Sequence, residues 1–230
     1  MKGVPGKTPI LVRDPLSGNV YFKYIEDLFE EQEQEEKDYQ CFSLSGWANI
    51  NKITRDLTDE ALVKISSDIG YVKIVGDIIC DFPSGGINLC NKLHTRYPLL
   101  YQNVDNGLNE DNAYMAGVML AEKEYIRVPF DILNGSLSLA APFVEGFCST
   151  NLNEKLSDLC LSEIYYMTKK ASNPVKFSGD LLVRNPDKIA FDFINKIELI
   201  TLMYSDYIYM IHSDTGTFQA GVGQTFLNSI

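Results

Sequence analysis

The closing stretch of the chain constrains its fold more than any other segment. Residues 207–230 carry alternating Ile208 and Met210, then Asp214-Thr215-Gly216 as a turn signal, then Phe218 at the head of a return strand. This pattern predicts a terminal β-hairpin. The region before it follows a different period. In residues 155–170, Leu156, Leu159, Ile164 and Met167 fall near helical spacing and Lys169 and Lys170 make a basic last turn. Residues 175–178 and 180–184 then read as two strands around Gly179. Helix and strand periods thus occupy separate stretches of this part of the chain.

Composition narrows the function classes. A hydrophobic fraction of 45% over 230 residues is ordinary for an ordered globular chain and allows one large or two modest cores. The net charge is -11, with a pI near 4.6. A surface that grips a nucleic-acid backbone offers a basic stripe, and this chain repels phosphate on average, so nucleic acid is a disfavoured partner. Lys169, Lys170, Lys176 and Arg184 are few and interleaved with Asp158, Glu163 and Asp180. No apolar run is long enough to span a membrane, and no signal-peptide core is present, so no membrane partner is expected. Five cysteines (Cys41, Cys80, Cys90, Cys148, Cys160) lack C-x-x-C spacing and are odd in number. They read as reduced thiols in an intracellular setting, serving as small apolar fillers. Cys90 and His94 lie four apart, but two ligands do not make a metal site, and neither metal nor cofactor is expected. There is no Gly-rich phosphate loop and no nucleophile elbow.

Two kinds of insertion stand out. Residues 26–38 are densely acidic, with Leu28-Phe29 as the apolar pair, and read as a solvated helix or loop able to meet a basic partner. Residues 82–86 and 103–111 are rich in turn formers, and Asn109 or Asp111 suits a helix N-cap. Tyr204, Tyr207 and Tyr209 cluster near the last strand, as core or as half of a contact surface.

The order of several short signals resembles a known family. Thr8-Pro9 opens an apolar stretch (residues 7–14), and a second stretch (18–28) ends in Ile25 and Leu28. Gly46-Trp47 begins another, residues 62–75 follow as a hairpin, and Phe218-Gln219-Ala220-Gly221-Val222-Gly223 leads to Asn228. Together these resemble the Hint-fold self-splicing module of inteins, over residues 7–82 and 200–229. The resemblance implies a mostly-β horseshoe scaffold. It also implies four reactive groups, which can be sought one by one. The first is a nucleophilic Cys or Ser at the head, and residues 1–6 hold no Cys, Ser or Thr. The second is a Thr-x-x-His that polarises the scissile amide, and its positions fall on Val75 and Ile78. The third is an acid after Tyr209, where the chain has Met210. The fourth is a His-Asn pair before a nucleophile; Leu227 stands for the His, while Asn228 and Ser229 remain. Asn228 retains the atoms to attack its own carbonyl, or is an ordinary polar residue of the tail.

The middle of the chain resembles a LAGLIDADG homing endonuclease, the module often nested in inteins. Residues 112–123 fit its first motif helix and residues 141–151 the second. Gly117 with Ala121, and Gly146 with Thr150, put small side chains on one face of each helix, so that the two can pack closely. The resemblance implies a metal-holding acid at the end of each helix, and those positions are Glu122 and the neutral Asn151. Residues 123–140 are too few for the family's four-stranded DNA-binding sheet, which needs roughly 30 residues, and residues 124–128 can give one strand at most.

The two resemblances imply an α+β chain, a mostly-β intein-like Hint domain from residues 1–102 and 201–230 split by an inserted α/β remnant, a degenerate LAGLIDADG-like domain at 103–200. No enzymatic activity is expected; Asn228, Ser229 and Glu122 are vestigial candidates. The implied function is a non-catalytic structural or interaction protein within a larger assembly of other proteins, with a minor capsid-type component of a large DNA virus as the setting. Residual cleavage at Asn228-Ser229 and weak nucleic-acid binding by the endonuclease remnant are the alternatives.

Overall fold

The computed structural model describes residues 3–35, 38–67, 70–75, 88–89, 106–150, 155–171, 175–178, 181–184, 192–202, 204–223 and 225–228. In chain order come β1 (Val4–Pro5), β2 (Pro9–Arg13), β3 (Val20–Tyr24), α1 (Ile25–Glu35), β4 (Gln40–Ser43) and β5 (Gly46–Thr58). Next are β6 (Leu62–Ser67), β7 (Tyr71–Val75) and β8 (Asn88–Leu89), then α2 (Glu110–Ala121), α3 (Phe130–Asn134), α4 (Ala140–Ser149) and α5 (Asp158–Lys170). The chain ends with β9 (Val175–Ser178), β10 (Leu181–Arg184), β11 (Asp192–Ile200), β12 (Asp206–Ser213), β13 (Thr217–Ala220) and β14 (Thr225–Asn228). The protein is α+β with antiparallel sheets. It divides into one unit of Met1–Leu93 with Phe191–Ile230 and a second of His94–Ala190.

The first unit is built on a six-stranded sheet in the order β1-β12-β5-β4-β2-β3 and a four-stranded sheet in the order β7-β6-β11-β8. Its central strands are covered on both faces. Ile208 through Ile211 on β12 are all buried, as are Pro9 through Val12 on β2, so these strands read as continuous apolar runs. One core joins Ile10, Val12, Leu28, Cys41, Ile211 and Phe218, all nearly free of solvent. Each such side chain contributes roughly 1.5–3 kcal/mol of burial.

Two expectations are corrected here. The turn at Asp214–Gly216 exists, with Gly216 N–H donating to the Ser213 carbonyl at 3.1 Å. Yet β12 and β13 do not pair, so the predicted hairpin is absent. β5 occupies one edge of β12 along its whole length, and β1 takes the other at Ile208 and Tyr209. The return strand β13 instead pairs with β14, Phe218 opposite Leu227. The acidic segment is a helix, but it is not wholly solvated. Ile25 and Leu28 are buried, Phe29 meets the Tyr209 ring edge-on at 5.7 Å, and Gln32 Oε1 accepts from the Ile53 N–H at 2.8 Å. The last bond satisfies a β5 amide on the edge away from β12, past the residues that pair with β4.

The second unit is helical, with β9 and β10 paired antiparallel. The N-cap of α2 is Asn109, whose side chain accepts from Asn112 N–H while Asn112 returns a bond to the Asn109 N–H. α2 and α4 cross backbone against backbone. A methyl at Gly117 would run into the Phe143 carbonyl oxygen and lie 2.6 Å from Phe147 N; one at Gly146 would strike the Tyr114 carbonyl. The two glycines are therefore reciprocal contacts at one crossing. Thr150 lies just past α4 in an extended conformation, so it does not extend the small-residue face of that helix. Residues 124–128 contain no strand. α5 is buried from Leu159 through Thr168, and so forms the axis of this unit.

Gly117→Ala is expected to lower the stability of the second unit by about 2–3 kcal/mol, because α2 and α4 must separate. Urea denaturation followed by circular dichroism measures this, and a change below about 0.5 kcal/mol would contradict the close crossing.

Candidate functional site

The first unit gathers the segments from both ends of the chain onto one strand. Val75 N–H, at the end of β7, donates to the Gly3 carbonyl at 2.9 Å. Tyr71, at its start, exchanges two backbone bonds with Val222, each 2.9 Å. Four residues of extended chain separate these contacts, about 13 Å. Gly221 N–H donates to the Pro9 carbonyl at 2.9 Å, so the tail also touches β2. Glycine is required on both sides of this junction. Gly221 has φ 83°, and a Cβ at Gly70 would collide with the Val222 carbonyl.

The positions singled out in the sequence carry apolar side chains. Val75 and Leu227 have no exposed surface and Met210 is 4% exposed. Val75 packs with Leu62 and Ile208, whereas Met210 and Leu227 belong to the main core. Thr8 is also buried, and its backbone bridges the Pro5 carbonyl (3.0 Å) and the Ile25 N–H (3.1 Å). Asn228 is in β14 opposite Thr217. Ser229 and Ile78 lie outside the described residues, as do Cys90 and His94. His212 is occupied by Thr54 Oγ1 at 3.1 Å on the β5–β12 ribbon. One polar side chain that sequence reasoning passed over is Gln219. It is 2% exposed; its Nε2 donates to the Gly223 carbonyl at 2.6 Å, while its Oε1 has no hydrogen-bond partner among the described residues. Its position inside the Phe218–Gly223 run was the available signal, because a long polar residue flanked by buried neighbours needs a local partner.

The second unit contains buried charge that the sequence did not reveal. Glu163, 2% exposed, accepts from Arg127 Nε at 2.9 Å and Nη2 at 2.5 Å, and from Val128 N–H at 3.0 Å. Burial pushes its carboxyl above the ordinary range, and the guanidinium pulls back against that shift. Lys170 is also buried rather than part of a solvated basic turn. Its Nζ donates to the Leu133 carbonyl at 2.9 Å and the Gly135 carbonyl at 2.7 Å, at the C-terminal end of α3. Burial lowers its pKa to about 8. Each charge is thus spent on fixing backbone: Glu163 holds the loop before α3 to α5, and Lys170 holds the end of α3 to the same helix.

Glu122 is the exposed C-cap of α2, and Asn151 lies outside the described residues. Among the described residues no group of three His, Cys, Asp or Glu is placed to hold a metal ion, and no helix is long and apolar enough to cross a membrane. Cys41 and Cys160 are buried, and burial pushes both thiols up to about 12, which makes them inert as nucleophiles; Cys148 is exposed. No protein-family model matches this chain, and no curated protein matches it.

The Lys170 environment has a pH signature. The folded pKa of about 8 lies below the unfolded value of about 10.4. Between these values the unfolded chain binds the extra proton, so stability rises with pH through that window and the burial cost is fully present below it. Relative to Lys170→Met, the wild-type chain is expected to gain about 2–3 kcal/mol from pH 8 to pH 10.5 in denaturant titrations. A difference that stays flat across the window would contradict the placement of the ammonium.

Proposed function

We propose that this chain is a non-catalytic interaction protein, built on an intein-like scaffold with a shortened LAGLIDADG-like insert, and that it acts inside a larger assembly. The observation that carries the reading is the filling of the reactive positions. Where splicing needs a hydroxyl, an acid and an imidazole, the chain has Val75, Met210 and Leu227, all buried against other hydrocarbon. None can donate or accept a proton. The scaffold reading is supported by β7, which bonds the segments from both chain ends, and by the glycine-to-backbone crossing of α2 and α4.

The insert supports the same conclusion. Glu122 is a single exposed carboxylate, and one such ligand does not organise a divalent cation at a phosphate. The net charge of -11 opposes a DNA backbone. What persists is packing, and packing without reactive groups is useful as a shape that other proteins recognise. A capsid-type assembly of a large DNA virus is the setting this ancestry favours.

Intact-mass spectrometry after prolonged incubation at neutral and mildly alkaline pH, with and without hydroxylamine, tests the reading. The full-length mass is expected to persist under every condition. Loss of Ser229-Ile230 would overturn it in favour of autoprocessing by Asn228.

A further inference from the structure

The first unit leaves an apolar ledge open beside its acidic helix. Leu57 on β5 stands opposite Tyr207 on β12 and the two are 63% and 45% exposed, with Tyr204 at 84% just before the strand. Arg55 joins this ledge to α1: its guanidinium lies 4.7 Å from the Phe29 ring centroid and 4.5 Å from that of Tyr207. Helical spacing puts Glu26, Glu30 and Glu33 on the flank of α1 that carries Phe29, the flank beside Arg55. Glu26 and Glu30 are near enough to raise the Tyr209 phenol, which burial raises first and Arg55 pulls back down. Glu26 is paired with Lys7 and Glu31 with Lys23, whereas Glu30 and Glu33 are exposed and have no ion pair among the described residues.

We propose that this ledge and the Glu26-Glu30-Glu33 flank form one docking surface for a basic, amphipathic segment of another protein. The proposal rests on the reading of the chain as an interaction protein and names the chemistry of its partner. Charge selects among the possible occupants. A second copy of the chain would bring the same acidic flank and a net charge of -11, and a nucleic acid would bring phosphates; both are repelled. A segment with Lys or Arg three residues apart meets the carboxylates of Glu30 and Glu33 in register, beside the Lys7–Glu26 pair, and its apolar face covers Leu57 and Tyr207. The carboxylates then supply steering and orientation, and the ledge supplies buried apolar area.

A fluorescein-labelled helical peptide of alternating Lys-Lys and Leu-Leu pairs serves as the probe, with anisotropy read against full-length protein at low and moderate salt. Wild-type protein is expected to bind it. Glu30→Lys with Glu33→Lys, and separately Leu57→Ser with Tyr207→Ser, are expected to weaken binding by roughly tenfold or more. Glu124→Lys with Glu145→Lys changes net charge as much as the first pair but alters the other unit, and is expected to leave the affinity within about twofold. Equal losses in both charge-reversed variants would mean that overall charge alone attracts the peptide, and would overturn the proposal. So would undiminished binding by the Ser variant, or no binding to wild type at about 100 μM. Circular dichroism confirms that each variant is folded. Failure here with an unchanged intact mass would remove this surface and leave the non-catalytic reading standing.

Discussion

The arrangement of the first unit depends on one short strand that serves two masters. β7 accepts the tail at Tyr71 and the head at Val75, using backbone bonds that carry no side-chain identity. Such bonds are insensitive to what the side chains become, provided that glycine remains where backbones touch. Gly70 and Gly221 meet that condition at the tail, and Gly3, packed on the Tyr209 carbonyl, meets it at the head. Val75 lies in a small cluster with Leu62 and Ile208, and Met210 and Leu227 lie in the main core, where each contributes apolar burial that an unpaired polar group in its place would reduce.

The second unit follows the same logic with different means. Gly117 and Gly146 fix a crossing that only backbones can occupy, and the helices around it are then clamped by buried charge. Glu163 and Lys170 both lie on α5 and both reach back to the segment 127–135, so α5 holds that connection at two points seven residues apart. Removing either partner would leave a buried charge or a buried carbonyl unpaired, which costs far more than the pair itself contributes. Such pairs specify which loop sits on which helix, a task that an all-apolar α5 would leave open.

Local signals were legible in the sequence and long-range choices were not. The Asn109 cap, the β6–β7 and β9–β10 hairpins and the small-residue face around Gly117 all rest on neighbours within a few positions. The β12–β13 hairpin failed as a prediction because turn chemistry at Asp214–Gly216 decides that the chain reverses, not which strand it pairs with; β5 had already claimed the available edge. The buried face of α1 was missed because its apolar stripe begins at Ile25, ahead of the acidic run, and is completed by Gln32, a polar residue that works by capping a strand amide. Lys170 looked like a solvated helix end because its acceptors, Leu133 and Gly135, are 37 and 35 positions away. Of the candidate site, the apolar residues Val75, Met210 and Leu227 were nameable from the sequence and Gln219 carried a local signal, whereas the Arg127–Glu163 pair spans 36 positions and has no spacing that announces it.

The central claim is that the segments around Gly3 and Val222 are both held on β7 by backbone hydrogen bonds, with Val75 buried between them. Amide hydrogen exchange resolved to single residues tests it most directly. Tyr71, Val75 and Val222 donate the three bonds, so their amides are expected to exchange together, at the slow rate of the surrounding core. Exchange of Val75 and Val222 at the rate of an unprotected chain would mean that the two ends are not gathered there, and the account of the scaffold would fall.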